Sequence, residues 1–143
     1  INHVINNSTI KSPFFVINGD SLSDINLEKM AFNFDDSNIN SMIAISKVKN
    51  TRRYGVVIEK NDSVLSFSEK GNKGEGWINN GYYIFKREAF NKFSGAFSLE
   101  KDLFPKLVQK KKLGVFKVAN SNFIDMGVPE DYFKLCNNYM EGK

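Results

Sequence analysis

Cysteine and histidine are almost missing from this chain, since Cys136 and His3 are each the only residue of their type. A lone cysteine excludes an internal disulfide and a cysteine metal cluster. A lone histidine leaves a zinc site or a His-based catalytic triad almost no material. Cys136 stands among Tyr132, Phe133, Leu135 and Tyr139 in an expected helix, where a buried, inert thiol is the default. Also missing are any apolar run approaching the ~20 residues of a membrane span and any secretory apolar region. A cytoplasmic protein with no membrane association is therefore expected. The chain opens at Ile1 rather than at methionine, on a polar stretch (Asn2, Asn6, Asn7, Ser8) that reads as the tail of something. A fragment or a processed chain is expected.

What is present is the composition of an ordinary globular domain. The 143 residues are one domain's worth, long enough for a real core. Hydrophobic residues make up 41% and charged ones 25%, both usual for a folded domain. Thirteen phenylalanines supply bulky core or pocket walls. The formal charge of +4 owes much to Lys110, Lys111 and Lys112, which look like the solvated end of a helix. That charge would suit a phosphate-rich ligand but is weak support for nucleic acid, and no nucleic-acid partner is expected.

Along the chain, apolar runs alternate with helical patterns. Phe14–Asn18 and residues 41–48 read as fully buried strands. Between them Asp24 or Asn26 could cap a helix carrying Leu27, Met30, Ala31 and Phe34. Residues 54–60 and 63–69 form two strands around Asn61-Asp62, a hairpin signal even without glycine. A glycine-rich loop from Gly71 to Gly76 leads into a strand over 78–86. Helical patterns follow at 87–93 and 99–111, then strands at 113–118 and 123–125. A last helix starts at Pro129, with Glu130 and Asp131 suited to its first turn. No repeat and no linker interrupts this order, which predicts one α/β unit with a mixed sheet.

Asp20 and Asp125 are the strongest candidates for chemistry. Asp20 follows a strand directly, at the carboxyl end, where open α/β sheets place ligands. Gly19 lets the backbone turn and a ligand approach. A simple turn residue is the competing reading for Asp20. An aspartyl-nucleophile phosphatase would want a second Asp two residues on, and Leu22 stands there. Asp125 has the same setting, at the end of Phe123-Ile124 and before Met126-Gly127. Two carboxylates meeting at one sheet edge would suit magnesium, which takes hard oxygen ligands, few of them from protein.

Six blocks stand in one order: Val16-Ile17-Asn18-Gly19-Asp20; Arg53-Tyr54-Gly55-Val56-Val57; Glu69-Lys70; Ile78-Asn79-Asn80-Gly81-Tyr82-Tyr83-Ile84-Phe85; Phe97-Ser98-Leu99-Glu100-Lys101-Asp102-Leu103-Phe104-Pro105; and Phe123-Ile124-Asp125-Met126-Gly127-Val128-Pro129-Glu130-Asp131-Tyr132. Each is weak alone. Together they resemble the sugar-1-phosphate nucleotidyltransferase family, in its heptose- and mannose-1-phosphate guanylyltransferase branch, over residues 13 to about 135. The resemblance implies a Rossmann-like, three-layer α/β nucleotidyltransferase domain with a mixed sheet, residues 1–143 being its C-terminal portion. It implies Mg2+ held by Asp20 and Asp125, with Lys70 on the sugar phosphate as a third catalytic residue. Gly55 would let the sugar lie against the backbone. Glu69 would grip sugar hydroxyls, and Asn80 before Gly81 would read further ones. A flat carboxylate suits vicinal hydroxyls, and a compact ammonium suits phosphate. Without the resemblance, Glu69 and Lys70 would read as exposed strand-end charges, and surface charge is the expected role for at least one of Arg52 and Arg53.

The implied reaction is nucleotidyl transfer from a nucleoside triphosphate to a sugar 1-phosphate, of GDP-heptose or GDP-mannose type, for surface polysaccharide synthesis. The family's opening Gly-x-Gly-Thr-Arg loop, which wraps the triphosphate, has no counterpart here. Gly74-Glu75-Gly76 precedes Trp77 and a strand, so it is a loop rather than a phosphate cradle. Gly71 stands where family members often carry proline. A non-catalytic sugar-phosphate-binding or oligomerising module is the rival expectation. A related metal-dependent glycosyltransferase would show an Asp-x-Asp after a strand, which is missing. The expected partners are the two substrates, together with a second copy or the chain's own upstream segment.

Overall fold

The computed structural model describes residues 1–7, 9–68, 74–118 and 122–140. Within them the order is α1 (Asn2–Asn7), β1 (Phe14–Ile17), β2 (Ser21–Leu22), α2 (Leu27–Asp35), β3 (Ser41–Val48), β4 (Val56–Lys60), β5 (Ser63–Ser68) and β6 (Gly76–Phe85). A 3-10 turn (Arg87–Phe90) and a π-helical turn (Leu99–Leu103) then lead into α3 (Phe104–Gln109), β7 (Leu113–Val118), β8 (Ile124–Asp125) and α4 (Pro129–Met140). The main sheet is ordered β1-β6-β3-β7-β5-β4, and a two-stranded ribbon pairs β2 with β8. β3 runs parallel to β7 and antiparallel to β6, so the sheet is mixed as expected.

Strand alternation explains the layers. On β3, Met42 and Ala44 face one side while Ile43 and Ile45 face the other. On β6, Tyr82 and Ile84 oppose Tyr83 and Phe85 in the same way. One face packs on Met30 and Phe34 of α2; the other packs on Leu103, Phe104 and Leu107. Several phenylalanines fill the second layer, with Phe67 stacked on Phe104 at 5.3 Å and Phe85 edge-on to Phe90 at 5.0 Å. Such pairs add a directional term to the area they bury. Asn26 caps α2, its Oδ1 accepting the Lys29 N–H at 2.8 Å, which decides between the two expected caps. The β4–β5 hairpin turns at Asn61 and Asp62, both at positive φ (51° and 57°), as a tight two-residue turn requires.

Three expectations need correction, and one element is added. The run Phe14–Asn18 is not fully buried: β1 alternates, with Phe15 and Ile17 38% and 46% exposed. The cause is its place at the sheet edge, where among the described residues it pairs with β6 alone. The polar opening forms α1, because Ile5 enters the core and Arg87 donates to the carbonyls of Ile5 (2.8 Å) and Ile10 (2.9 Å). The helical pattern over 99–111 divides at Phe104 into a π-helical turn and a short helix. Cys136 is half-buried rather than enclosed. No helix among the described residues is long and apolar enough to cross a membrane.

Candidate active site

The chain leaves β1 at Ile17, and Asn18 N donates to the Gly81 carbonyl at 2.8 Å. It turns at Gly19-Asp20 and runs straight into β2, whose Ser21 lies opposite Asp125 in β8. Met126 N donates to the Asp20 carbonyl at 2.8 Å, closing the ribbon. Two aspartates distant in sequence thus sit on adjoining rungs. Asp20 is exposed and Asp125 half-buried. Asp125 Oδ1 accepts the Gly127 N–H at 2.9 Å, and a Cβ at position 127 would stand 3.0 Å from that oxygen, so glycine keeps this turn open. Among the described residues Asp20 Oδ1 has a single long contact, 3.4 Å, from the Ser21 hydroxyl. Neither carboxylate joins an ion pair among the described residues.

Beside this edge runs an open groove of about 1100 Å³, with Arg53, Gly55, Asn79 and Glu100 in its wall. Asn79 is its most heavily bonded side chain. Its Nδ2 donates to Glu100 Oε1 at 2.9 Å and to the Tyr83 hydroxyl at 2.8 Å, while its Oδ1 accepts the Gly81 N–H at 3.0 Å. Glu100 rides on the π-helical turn, which is capped from both directions. Ser98 Oγ accepts from Lys101 N at 3.2 Å, and Ser98 N donates to Asp102 Oδ2 at 2.7 Å. Tyr83 is buried, and burial pushes its hydroxyl up to about 12, against hydrogen bonds from Asn79 and Asn18 that favour the ionised form. Since Asn18 lies two residues before Asp20, the chain Asn18–Tyr83–Asn79–Glu100 joins the carboxylate edge to the groove.

Arg53 occupies the junction. Its Nη1 donates to Asp131 Oδ2 of α4 at 2.7 Å, and its guanidinium lies 5.7 Å from the Tyr54 ring centre. Tyr54 meets Phe123 edge-on at 5.6 Å, just before β8. The bond to Asp131 is the main reason the Arg53 pKa is raised, with Tyr54 and Asp125 adding to it.

A family model described as nucleotidyl transferase matches residues 1–142. The chain belongs to that family. It is 36% identical, over 88% of its own length and 55% of the other's, to D-glycero-alpha-D-manno-heptose 1-phosphate guanylyltransferase of Aneurinibacillus thermoaerophilus. Against the enzyme of the same name from Campylobacter jejuni it is 38% identical, covering 90% of this chain and 58% of the relative. The crystal structure of HddC from Yersinia pseudotuberculosis, complexed with GMP-PN, superimposes with a TM-score of 0.76 at 34% identity, over 90% of this chain and 56% of that one. This member of the family thus spans just over half the length of these two guanylyltransferases.

Within the family frame, the structure sorts the residues singled out from sequence. Asp20 and Asp125 stand on adjoining rungs of the ribbon, and Gly55 lines the groove. Gly81 is buried at φ +81°, where a Cβ would stand 2.9 Å from Ser21 Oγ. It lies under the Asp20 loop instead of in the open wall. Asn80 is also misassigned to the groove. Its side chain is wholly buried on the opposite face, with Nδ2 donating to Ser23 Oγ at 3.0 Å and to Ser46 Oγ. Its Oδ1 has no partner among the described residues. The groove amide is Asn79, since neighbours on a strand point to opposite faces. Glu69 and Lys70 lie outside the described residues. Sequence reasoning missed Asn79, Tyr83 and Glu100 as site residues, although all three stand inside the blocks that carried the resemblance.

The donor set also bears on the expected magnesium. Among the described residues no group of three or more His, Cys, Asp or Glu could hold a metal. Two hard carboxylates on adjoining rungs, with no cation bonded to either, nevertheless fit an ion that takes few protein ligands and completes its shell with water and phosphate.

Proposed function

We propose that this chain is the sugar-phosphate and metal half of a cytoplasmic sugar-1-phosphate nucleotidyltransferase, of GDP-heptose or GDP-mannose type. The observation that carries the proposal is the ribbon that sets Asp20 and Asp125 on adjoining rungs, beside Arg53 in the wall of a groove that also holds Gly55, Asn79 and Glu100. The sugar would lie against Gly55, its hydroxyls held by the Glu100 carboxylate and by Glu69. Asn79, fixed by its three bonds, keeps Glu100 in place. The phosphate would point to the carboxylate edge, with Lys70 on it. Mg2+, held by Asp20 and Asp125, would neutralise phosphate charge there. A sugar-phosphate oxygen then forms a bond to the α-phosphorus of the triphosphate, the bond to the β-phosphate bridge breaks, and pyrophosphate leaves. Positioning and charge neutralisation suffice for such a step, and no protein nucleophile is required.

Residues 1–143 carry no glycine-rich loop opening a helix, so the triphosphate cradle would come from a segment outside them. The free edge of β1, with Phe15 and Ile17 exposed, is where such a segment would add. The same missing loop favours the second reading, a module that binds sugar phosphate without catalysis. A pyrophosphate-release assay separates them. With GTP, Mg2+ and mannose 1-phosphate, residues 1–143 alone should be silent. Joined to the loop-bearing half of the Campylobacter jejuni relative, they should release pyrophosphate only when a sugar 1-phosphate is present. Robust release by residues 1–143 alone would misplace the triphosphate site, and a folded, silent chimaera would favour the binding module.

A further inference from the structure

Arg53 is the cation placed between the two halves of the site, and neither the resemblance nor the roles above give it a function. Its guanidinium is fixed from two sides: Asp131 takes Nη1 at 2.7 Å, and the Tyr54 ring lies beneath it. That ring is itself braced by Phe123, two residues before Asp125. The Arg53 side chain remains 47% exposed while its partner Asp131 is 16% exposed. The anchor is therefore sheltered and the charge faces outward, into a groove that also holds Gly55, Asn79 and Glu100.

The geometry of the anchor is informative. Arginine–carboxylate pairs are frequently bidentate, with two parallel N–H bonds. Here one N–H is used, and among the described residues the remaining donors carry no bond. One edge of the fork stays available, and that edge matches a phosphate in shape and charge. The charge balance points the same way. Asp20, Asp125 and Glu100 put three carboxylates around the ligand space, and a sugar phosphate adds a dianion. The other described cation on the groove wall, Lys101, is an exposed side chain with no anchor.

We propose that Arg53 binds the phosphate of the sugar 1-phosphate, with Asp131 as the residue that positions it. The assignment rests on the functional reading above and adds a phosphate contact to it. Arg53 reads the phosphate and leaves the sugar ring to Glu100. Asp131, reaching over from α4, sets the angle of the fork.

Ligand-detected NMR titrations of the full chain with mannose 1-phosphate and with mannose test this. Arg53→Ala should weaken mannose 1-phosphate binding roughly ten- to a hundredfold and leave mannose unchanged, as expected for a lost charge-assisted bond. Arg53→Lys, which keeps the charge without the fork, should fall between native and Arg53→Ala. Asp131→Asn should weaken only the phosphorylated ligand, by less than Arg53→Ala. The salt dependence of mannose 1-phosphate binding should flatten in Arg53→Ala. Native-like binding by Arg53→Ala would overturn the assignment, as would equal losses for both ligands, which would make Arg53 a structural latch. In either case the functional reading stands, because the native chain still binds. A native chain that binds no sugar phosphate at all rejects the functional reading and this assignment with it.

Discussion

The carboxylate edge and the groove lie side by side yet are built in opposite ways. The edge rests on two two-residue strands, and among the described residues its aspartates make only local hydrogen bonds and no ion pair. The groove is walled by β5, β6, the π-helical turn and α3, and its Asn79 amide is committed to three partners before any ligand arrives. A bare pair of carboxylates suits a group that brings its own charge and shell, such as a hydrated divalent ion. A saturated amide suits the rigid presentation of a neighbouring carboxylate to a ligand that must be told from near-identical ones. The contrast separates chemistry from recognition, and substitutions on either side should separate turnover from discrimination.

The largest effect is expected at the edge. In the loop-completed protein, Asp20→Asn and Asp125→Asn should each nearly abolish pyrophosphate release while leaving mannose binding in the groove intact. The double variant should be little worse than either, because residues acting on one ion are not additive. Near-native release by either single variant would remove that residue from the edge.

Groove substitutions should do less to turnover and more to selectivity. Glu100→Gln and Glu69→Gln should blunt discrimination among sugar 1-phosphates, and Lys70→Ala should weaken all of them in a salt-sensitive way. Each change removes a charge-assisted bond, on the order of 1.5–3 kcal/mol or roughly ten- to a hundredfold in affinity. Competition titrations with sugar phosphates of different stereochemistry read both effects. Unchanged affinity and selectivity would move sugar recognition elsewhere.

A smaller effect, on stability, should divide the asparagine pair. Asn80→Ala removes the donor shared by Ser23 and Ser46 and should cost about 1–3 kcal/mol in denaturant unfolding. Gly81→Ala forces a Cβ into positive φ against Ser21 and should cost about as much. Asn79→Ala should instead loosen Glu100 and lower selectivity at near-native stability. Asn79→Ala behaving like Asn80→Ala would erase the distinction between the two faces.

The smallest effect joins the two regions at Tyr83. Its hydroxyl is raised from 10.0 to about 12, chiefly by burial. Below about pH 10 the group is protonated in both folded and unfolded chains and contributes no pH dependence. Between about 10 and 12 only the unfolded chain ionises, so stability should fall as pH rises through that window. Phenolate absorbance and unfolding followed together would show it, and Tyr83→Phe should flatten this part of the decline.

Much of this architecture is legible in the chain, and the failures have physical causes. Strands β3 and β7 are visible because both their faces are covered, so they read as continuous apolar runs. β1 reads the same way in sequence, but burial depends on neighbours, and an edge strand with one partner leaves alternate side chains in water. β2 and β8 are too short for any periodicity, so the sequence carries no sign of the register that sets Asp125 opposite Ser21 and bonds Met126 to Asp20. The assignment of the groove amide to Asn80 followed the proximity of Gly81 instead of the period of the strand. Counting by two from Tyr83 reaches Gly81 and then Asn79. Glu100 was visible as part of a block but not as a neighbour of Asn79, because only the capped π-helical turn carries it across.

The central claim is that edge and groove are one site, with the metal at the sugar's phosphate. The most direct test replaces Mg2+ with Mn2+ and follows the 31P and ring-proton signals of mannose 1-phosphate in the presence of the chain. Bound Mn2+ should broaden the phosphorus signal more than the protons of the far side of the ring, and the protein-dependent part of that broadening should vanish in the Asp20→Asn, Asp125→Asn double variant. Sugar phosphate that still binds, with a phosphorus signal broadened equally by native chain and double variant, would contradict the account.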